Sequence, residues 1–326
     1  MTTPLLSVSN LVTEFGGEKG ASGLKAVNDV SFKVERGRVL GLVGESGSGK
    51  SVTGFSVMRL LERPGRIASG QIIFDGVDLA RLSNEEMRQI RGKRIAMVFQ
   101  DPMMTLNPVL TIETQMVEAV RAHDQVSKTI ARQRARDALG LVGIPSPEER
   151  LSSYPHQFSG GMRQRVVIAI ALLHKPELII ADEPTTALDV TIQSQIISEF
   201  QKLTEESDTA VIWITHDLAI VSRLADDIAV MYAGRLVESG PVSSVLTDPK
   251  HPYTAGLIAS VPSRNRRGVP LRQIPGMTPA ITMLPKGCSF RTRCDRATDE
   301  CLVVPPLFPQ QERFVRCFHP VMKAMT

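Results

Sequence analysis

The stretch GESGSGKS at residues 44–51 decides the fold, because it matches the pattern G-x-x-x-x-G-K-[ST] at every fixed position. The apolar run RVLGLVG leads into it, and SVTGFSVMRLL, which has helical spacing, follows it. A strand, a Gly-rich loop and a helix in this order predict a loop whose backbone N–H groups and helix dipole surround phosphate oxygens. Lys50 is placed to bridge the terminal phosphates of a nucleotide, and Ser51 to bind Mg²⁺. The alternative is a Gly-rich turn that binds nothing, and the flanking strand and helix argue against it.

A second strand, LIIADE at residues 178–183, is apolar and ends in two acids. Asp182 is placed to hold Mg²⁺, directly or through water, and Glu183 to orient and deprotonate an attacking water. Two acids after a strand more often cap a helix. The phosphate loop upstream favours the catalytic interpretation.

A Ser followed by two glycines, Ser159-Gly160-Gly161, opens a predicted helix shortly before the acidic strand. A hydroxyl and several free N–H groups at a helix start suit a γ-phosphate. Because Lys50 already occupies one side of the nucleotide, this second anion site should serve a nucleotide bound by a facing subunit. The alternative is a plain Ser N-cap.

The rest of the chain alternates strand and helix patterns, which predicts an α/β fold with a mostly parallel sheet covered on both faces. The segment TIETQMVEAVRAH predicts a helix, and DIAVMYAG with RLVESG predicts a closing hairpin. We predict a nucleotide-binding domain over residues 1–240, with a helical subdomain at about 101–165. Residues 241–326 are predicted to form a small cysteine-containing domain with little regular structure, reached through the basic linker PSRNRRG.

The composition excludes some classes of protein. The chain is 42% hydrophobic and carries a net charge of only +4, which is too small a surplus to indicate a nucleic-acid surface. It contains neither a signal peptide nor the roughly 18 uninterrupted apolar residues that a spanning helix needs. We therefore expect a cytosolic chain that reaches a membrane only through partners.

The segments GESGSGKS, FSGGMRQR, LIIADEPTTALD and ITHD stand in the order found in ABC transporter nucleotide-binding subunits, and the chain resembles that family. The resemblance implies a P-loop (RecA-like) domain with antiparallel β and helical subdomains, bound to ATP and Mg²⁺. It also implies that Gln100 links the Mg²⁺ site to the helical subdomain and that His216 contacts the γ-phosphate. By the same resemblance, Asp189 communicates across a dimer. The resemblance also makes Phe15 the candidate for the aromatic residue that stacks on adenine, with a core Phe as the alternative.

The similarity extends beyond the ATPase motifs. FQDPMMTLNP, the HPYT run at residues 251–254 and the cysteine-bearing tail resemble bacterial dipeptide and oligopeptide importers, and most of all their D-type ATPase subunits. This implies a peripheral ATPase on the cytoplasmic face of the inner membrane. Its implied partners are two transmembrane permease subunits, a second related ATPase subunit or a copy of itself, and an extracytoplasmic substrate-binding protein.

The cargo stays open at this point, because the ATPase does not touch it. Relatives with nearly the same pattern move nickel chelates, glutathione or antimicrobial peptides instead of dipeptides or oligopeptides. A soluble ABC ATPase of DNA repair or translation is the alternative from another class, and the short helical insertion of this chain argues against it. The tail argues against the ATPase of an exporter.

The four cysteines of the chain, all in its tail, follow the spacing C-x5-C-x6-C-x15-C. In a reducing compartment such clustering indicates a metal or cluster site, although this spacing is neither that of a zinc ribbon nor that of a ferredoxin. The family resemblance implies a [4Fe–4S] cluster, and Zn²⁺ is the alternative. The arginines among the cysteines, including Arg293, are expected to offset the negative charge of this site.

The candidate residues fall into three groups. The catalytic candidates are Lys50, Gln100, Glu183 and His216. The nucleotide-binding candidates are Gly44, Glu45, Ser46, Gly47, Ser48, Gly49, Lys50, Ser51, Ser159, Gly160, Gly161, Asp189 and Phe15. The metal candidates are Ser51, Asp182 and Gln100 for Mg²⁺, and Cys288, Cys294, Cys301 and Cys317 for the iron–sulfur cluster or zinc.

Overall fold

The structure is a computed structural model that describes residues 3–16, 23–186, 188–261, 265, 268 and 273–322, and for Leu203 the backbone alone. Most of the Gly-rich turn GGEKGASG and of the linker PSRNRRG lies outside the described residues. The described chain divides into two compact units. The first contains the described residues of 1–35, 39–80 and 213–326, and the second those of 36–38 and 81–212. The predicted boundary near residue 240 stays a prediction.

The strands have the following bounds in chain order. They are β1 (Leu6–Phe15), β2 (Leu24–Val34), β3 (Val39–Val43), β4 (Arg66–Phe74), β5 (Val77–Asp78), β6 (Ile95–Val98), β7 (Leu178–Asp182), β8 (Ala210–Thr215), β9 (Asp227–Tyr232), β10 (Arg235–Pro241), β11 (Phe308–Gln310) and β12 (Arg313–Val315). Strand β8 begins in the second unit and ends in the first.

The helices have the following bounds. They are α1 (Lys50–Met58), α2 (Asn84–Ile90), α3 (Ile112–Arg121), α4 (Lys128–Leu141), α5 (Pro147–Arg150), α6 (Gly160–Leu172), α7 (Val190–Ser207), α8 (Leu218–Leu224), α9 (Val242–Thr247) and α10 (Pro252–Ala259). Within the described part of the chain, none of them is long and apolar enough to cross a membrane.

The first unit contains an antiparallel sheet and a parallel strand pair. Strand β1 pairs antiparallel with both β2 and β4, and β4 pairs with β5. Every residue of β3 is buried, as expected for an apolar strand covered on both faces, and β3 pairs parallel with β9. Strands β9 and β10 pair antiparallel, with Tyr232 opposite Arg235, so the predicted closing hairpin is confirmed.

The chain beyond residue 240 is part of this same unit. Strand β12 pairs with β10, with Val315 opposite Glu238, and β11 pairs with β12. Tyr232, Tyr253 and Phe290 form an aromatic cluster whose ring centroids lie 4.6–5.4 Å apart. Helices α9 and α10 precede a stretch in which the described residues adopt only short 3-10 turns, at Ile281–Met283 and Asp299–Leu302. The tail therefore shares a core with the strands that come before it.

The second unit combines parallel strands with a helical region. Strands β6 and β7 pair parallel, with Ile95 opposite Leu178. Helices α3 to α6 follow the change to helical patterning that the sequence predicts after residue 100. The buried residues of α3 recur at helical spacing on one face, and the predicted helix is confirmed; they are Ile112, Met116, Val117 and Val120.

Candidate nucleotide-binding and catalytic site

The phosphate loop lies between β3 and α1, as predicted. Gly49 precedes α1 with φ +103°, and a Cβ there would lie 2.5 Å from the carbonyl oxygen of Ala26, so only glycine fits. The loop is fixed from its other side by the Gly234 N–H, which donates to the Ser48 carbonyl at 2.9 Å. Contacts from β2 and from the β9–β10 turn thus fix the shape of the loop.

Lys50 is the first residue of α1 and is almost fully buried. Its Nζ donates to the carbonyl oxygens of Gly44, at 2.9 Å, and Glu45, at 3.0 Å. The ammonium group is thus folded back over the loop. It adds its positive charge to that of the α1 N-terminus, and both stabilise a bound phosphate. Ser51 follows in the first turn of the same helix. This arrangement suits the binding of a triphosphate.

Glu45, the second residue of the loop, is held by the C-terminal part of the first unit. Arg293 donates from Nη1 to Oε2 at 2.6 Å and from Nη2 to Oε1 at 3.1 Å, and Thr278 donates to Oε2 as well. The Glu45 N–H donates to the hydroxyl oxygen of Tyr253 at 2.9 Å. Burial opposes the ionisation of Glu45, but the hydrogen bonds from Arg293 and Thr278 and the charges of Arg293 and Lys50 outweigh it and lower the pKa.

In the second unit, Glu183 lies just beyond β7 and adopts a left-handed conformation with φ +45°. Such backbone strain in a non-glycine residue is frequent at functional sites. The Glu183 carboxylate oxygen Oε2 accepts from Gln100 Nε2 at 3.4 Å and from Thr186 Oγ1 at 2.9 Å. Two of the predicted catalytic residues are thus brought together. Asp182 ends the strand and is almost fully buried.

Sequence reasoning missed Thr186, although the signal was present in the segment DEPTTALD. A hydroxyl-bearing residue three positions after a strand-end acid, in a turn, can reach back to its carboxylate. The Thr186 hydroxyl fixes the carboxylate oxygen that also faces Gln100. This hydrogen bond orients the Glu183 carboxylate.

Ser159 caps α6, and its Oγ accepts from the Met162 N–H at 3.3 Å. In this structure the Ser159 hydroxyl therefore acts as a simple N-cap. The helix start is nevertheless accessible: Ser159 and Gly160 are exposed, and a Cβ at Gly160 would meet no atom within 4 Å. The prediction that this site serves a facing subunit stays a prediction.

The remaining nucleotide-site candidates have these positions. Asp189 caps α7 by accepting from the N–H groups of Thr191 and Ile192. His216 is exposed and directly follows β8. Phe15 ends β1 half-buried, and a Cβ at Gly65 would lie 2.6 Å from its ring. The functional roles predicted for these three residues stay predictions.

All four cysteines are free thiols and line one small cavity of the first unit. Burial raises the pKa of Cys288 and Cys294 and raises that of Cys317 to about 11, so these thiols are protonated near neutral pH unless a metal displaces the proton. A zinc ion would need sulfurs within about 4 Å of one another, because each Zn–S bond is about 2.3 Å long. Across the described residues, no three His, Cys, Asp or Glu side chains are arranged to hold a metal ion. The predicted iron–sulfur or zinc site therefore stays a prediction.

Arg291 and Arg296 line the cavity of the four thiols, as expected of arginines that offset charge there. Two other arginines of the tail are placed differently. Arg293 pairs with Glu45 of the phosphate loop. Arg316 donates to Asp29 at 3.0 Å. Their guanidinium groups thus connect the tail to the strands and the loop of the first unit.

Comparison with known proteins agrees with this geometry. The ABC transporter family matches residues 27–186, and the family "Oligopeptide/dipeptide transporter, C-terminal region" matches residues 237–301. The oligopeptide transport ATP-binding protein OppD of Bacillus subtilis is 49% identical over 94% of this chain and 86% of its own length. The dipeptide transport ATP-binding protein DppD of Escherichia coli is 45% identical over 97% of both chains.

The chain belongs to the OppD/DppD group of ABC transporter ATP-binding subunits. Like other ABC cassettes, it is an ATPase. Solved structures agree with this fold. A dimeric bacterial ABC transporter cassette matches with a TM-score of 0.66 and 27% identity, over 73% of this chain and 98% of that one. A dimeric cassette in a post-hydrolysis state, bound to ADP and Pi, matches with the same TM-score and 26% identity, over 73% and 98%.

Proposed function

We propose that this chain is the ATP-hydrolysing subunit of a membrane importer for dipeptides or oligopeptides. The observation that carries the cargo class is the match of residues 237–301 to the C-terminal region of oligopeptide and dipeptide transporters. Support for hydrolysis comes from Glu183, whose carboxylate is oriented by Gln100 and Thr186 at the end of β7.

In the proposed mechanism two ATPase subunits face each other, and each nucleotide lies between the phosphate loop of one and the start of α6 of the other. Lys50 binds the β- and γ-phosphates, while Ser159 and the following N–H groups of the facing subunit complete the site. Gln100 links the Mg²⁺ site to the helical subdomain and the permease, and His216 contacts the γ-phosphate. Glu183 then accepts a proton from the attacking water, whose oxygen bonds to the γ-phosphorus while the bond from that phosphorus to the β–γ bridging oxygen breaks. ADP is the leaving group, and release of the phosphate reopens the pair.

Mg²⁺ is the cofactor that this mechanism implies. Ser51, Asp182 and Gln100 offer the oxygen donors that Mg²⁺ prefers, so the residue types fit the ion. When bound, Mg²⁺ neutralises charge that develops on the transferred phosphoryl group.

The proposed assembly contains two transmembrane permease subunits, a second ATPase subunit or a second copy of this chain, and an extracytoplasmic substrate-binding protein. The chain is proposed to lie on the cytoplasmic face of the bacterial inner membrane. Residues 1–240 are proposed as the ATP-binding domain and 241–326 as the domain that distinguishes peptide importers.

A [4Fe–4S] cluster in the tail is a further part of the proposal, with Zn²⁺ as its alternative. Its support is the donor set, because four free thiols line one cavity. Cysteine sulfurs holding such a cluster would each bind a different iron, so they could stand further apart than four sulfurs around one zinc ion. Protein purified without oxygen should contain iron and inorganic sulfide in equal amounts, and a Cys301→Ser variant should lose them. Stoichiometric zinc would favour the alternative, and no metal would refute both.

Uptake of a labelled dipeptide by cells that carry this chain or its Glu183→Gln variant tests the cargo class, with unlabelled nickel as competitor. We expect uptake with the wild-type chain, little uptake with the variant, and no effect of nickel. Dipeptide uptake that is the same in both strains would contradict the peptide assignment. Labelled nickel chelates, glutathione and antimicrobial peptides would then be assayed in the same two strains.

A further inference from the structure

Three side chains from the tail, the chain beyond residue 240, contact a single residue of the phosphate loop, Glu45. Arg293 binds both carboxylate oxygens in a fork, Thr278 donates to one of them, and Tyr253 accepts from the Glu45 N–H. These partners are far from Glu45 in the sequence, and Arg293 follows it by 248 residues. We refer to Tyr253, Thr278 and Arg293 as the loop clamp.

The loop clamp is built rigidly. The Arg293 side chain is only 5% exposed, and its guanidinium also donates to the carbonyl oxygens of Pro275, at 2.8 Å, and Gly276, at 3.2 Å. A guanidinium held in a fork by several acceptors has one preferred orientation. Tyr253 is fully buried and packs on Tyr232 and Phe290. The loop clamp therefore holds Glu45 with side chains that are themselves fixed in place.

We propose that Arg293 and Tyr253 are positioning residues for ATP binding, a role that rests on the proposed function of the phosphate loop. Arg293 keeps the Glu45 carboxylate turned toward the tail and compensates its negative charge. Tyr253 fixes the Glu45 backbone by accepting from its N–H. The tail of the chain, which distinguishes this group of ATPases, thus sets the shape of the loop that binds the nucleotide.

Two physical effects connect the clamp to nucleotide affinity. The Glu45 carbonyl oxygen accepts from Lys50 Nζ at 3.0 Å, so the backbone of Glu45 is part of the support on which the Lys50 ammonium lies. In addition, a Glu45 carboxylate without its arginine would be an uncompensated negative charge in a loop that binds phosphates. It would repel the triphosphate and attract Lys50 away from it.

The test is titration of MgATP into the purified full-length chain, together with KM and kcat of the reconstituted transporter. We expect Arg293→Gln to raise the Kd and KM for ATP about tenfold, since a charged hydrogen-bonded pair is lost, while kcat changes less than about twofold. Arg293→Lys keeps the positive charge but loses the forked hydrogen bonds. Its Kd for ATP should lie between those of the wild-type chain and Arg293→Gln. Tyr253→Phe should raise the Kd by about threefold.

A double variant separates positioning from general stability. Glu45→Gln combined with Arg293→Gln removes the uncompensated charge, so most of the affinity lost in Arg293→Gln should return. Arg313→Gln is the matched control, because Arg313 is also a buried guanidinium of this unit but pairs with Asp248 and Glu238, which are not in the phosphate loop. It should lower the melting temperature without changing the Kd for ATP.

Three outcomes would overturn the loop clamp. They are an unchanged Kd in folded Arg293→Gln and Arg293→Lys, a double variant no better than Arg293→Gln, and a loss of affinity equally large in Arg313→Gln. Lys50→Ala, titrated in the same assay, distinguishes this failure from a failure of the proposed function. If Lys50→Ala also binds ATP normally, the phosphate loop itself is not the ATP site.

Discussion

Replacement of Glu183 by Gln should leave ATP binding intact and lower ATP hydrolysis by about 10²- to 10⁴-fold, which is the usual contribution of a positioned general base. The amide keeps the shape of the side chain, so the hydrogen bond from Thr186 to the side-chain oxygen can still form. The amide, unlike the carboxylate, cannot accept a proton from the attacking water. The measurement is phosphate release by the reconstituted transporter, beside ATP binding by equilibrium titration.

Glu177→Gln is the matched control for this variant. Glu177 precedes the same strand at its opposite end, where it binds Arg94 at 2.5 Å and Arg36 at 2.8 Å. The same carboxylate-to-amide change there should cost some stability and leave turnover within about twofold, because the half-buried Glu177 lies at the end of β7 away from Glu183. Near-normal hydrolysis in Glu183→Gln would contradict the assignment of Glu183 as the base.

Replacement of Lys50 by Ala should weaken MgATP binding by about 10- to 100-fold, because hydrogen bonds to charged groups contribute about 1.5–3 kcal/mol each. Lys50 Nζ lies over the carbonyl oxygens of Gly44 and Glu45, where its charge is the cation that the loop offers to the phosphates. Equilibrium titration with ATP in the presence of Mg²⁺ measures this loss.

Lys202→Ala provides the control for charge removal. Lys202 is exposed on α7 and pairs with Glu199 three residues earlier, so its loss should not change the Kd for ATP. Equal affinity in wild type and Lys50→Ala would show that the nucleotide does not bind at GESGSGKS. Melting temperatures of the two variants exclude unfolding as the cause of a loss.

Local patterns predicted most elements because their causes are local. The apolar residues of α3 recur at helical spacing, and β3 and β7 are uniformly apolar strands whose residues are all buried. The phosphate loop follows from its glycines, since a Cβ at Gly49 would clash with the Ala26 carbonyl. Gln100 was assigned by resemblance to the family, and Glu183 from the two acids at the end of an apolar strand; the structure places the two side chains in contact.

The contacts of Glu45 could not be predicted, because they join segments that are far apart in the sequence. No periodicity relates Glu45 to Arg293 or Tyr253, and the HPYT run was recognised only as a marker of the family. The arginines near the cysteines invited an electrostatic interpretation centred on the thiols. Only the packing of the tail against the loop shows that the Arg293 charge is directed at a carboxylate.

ATP-driven uptake into proteoliposomes connects the motor to transport in one assay. The vesicles would contain the permease subunits, this chain and the second ATPase subunit, with MgATP supplied on the ATPase side. The substrate-binding protein and a labelled dipeptide would be supplied on the other side. We predict uptake that requires ATP with the wild-type chain and is abolished by Glu183→Gln, even though the variant binds ATP. Uptake that proceeds without ATP, or that survives Glu183→Gln, would contradict the conclusion that hydrolysis by this chain drives import.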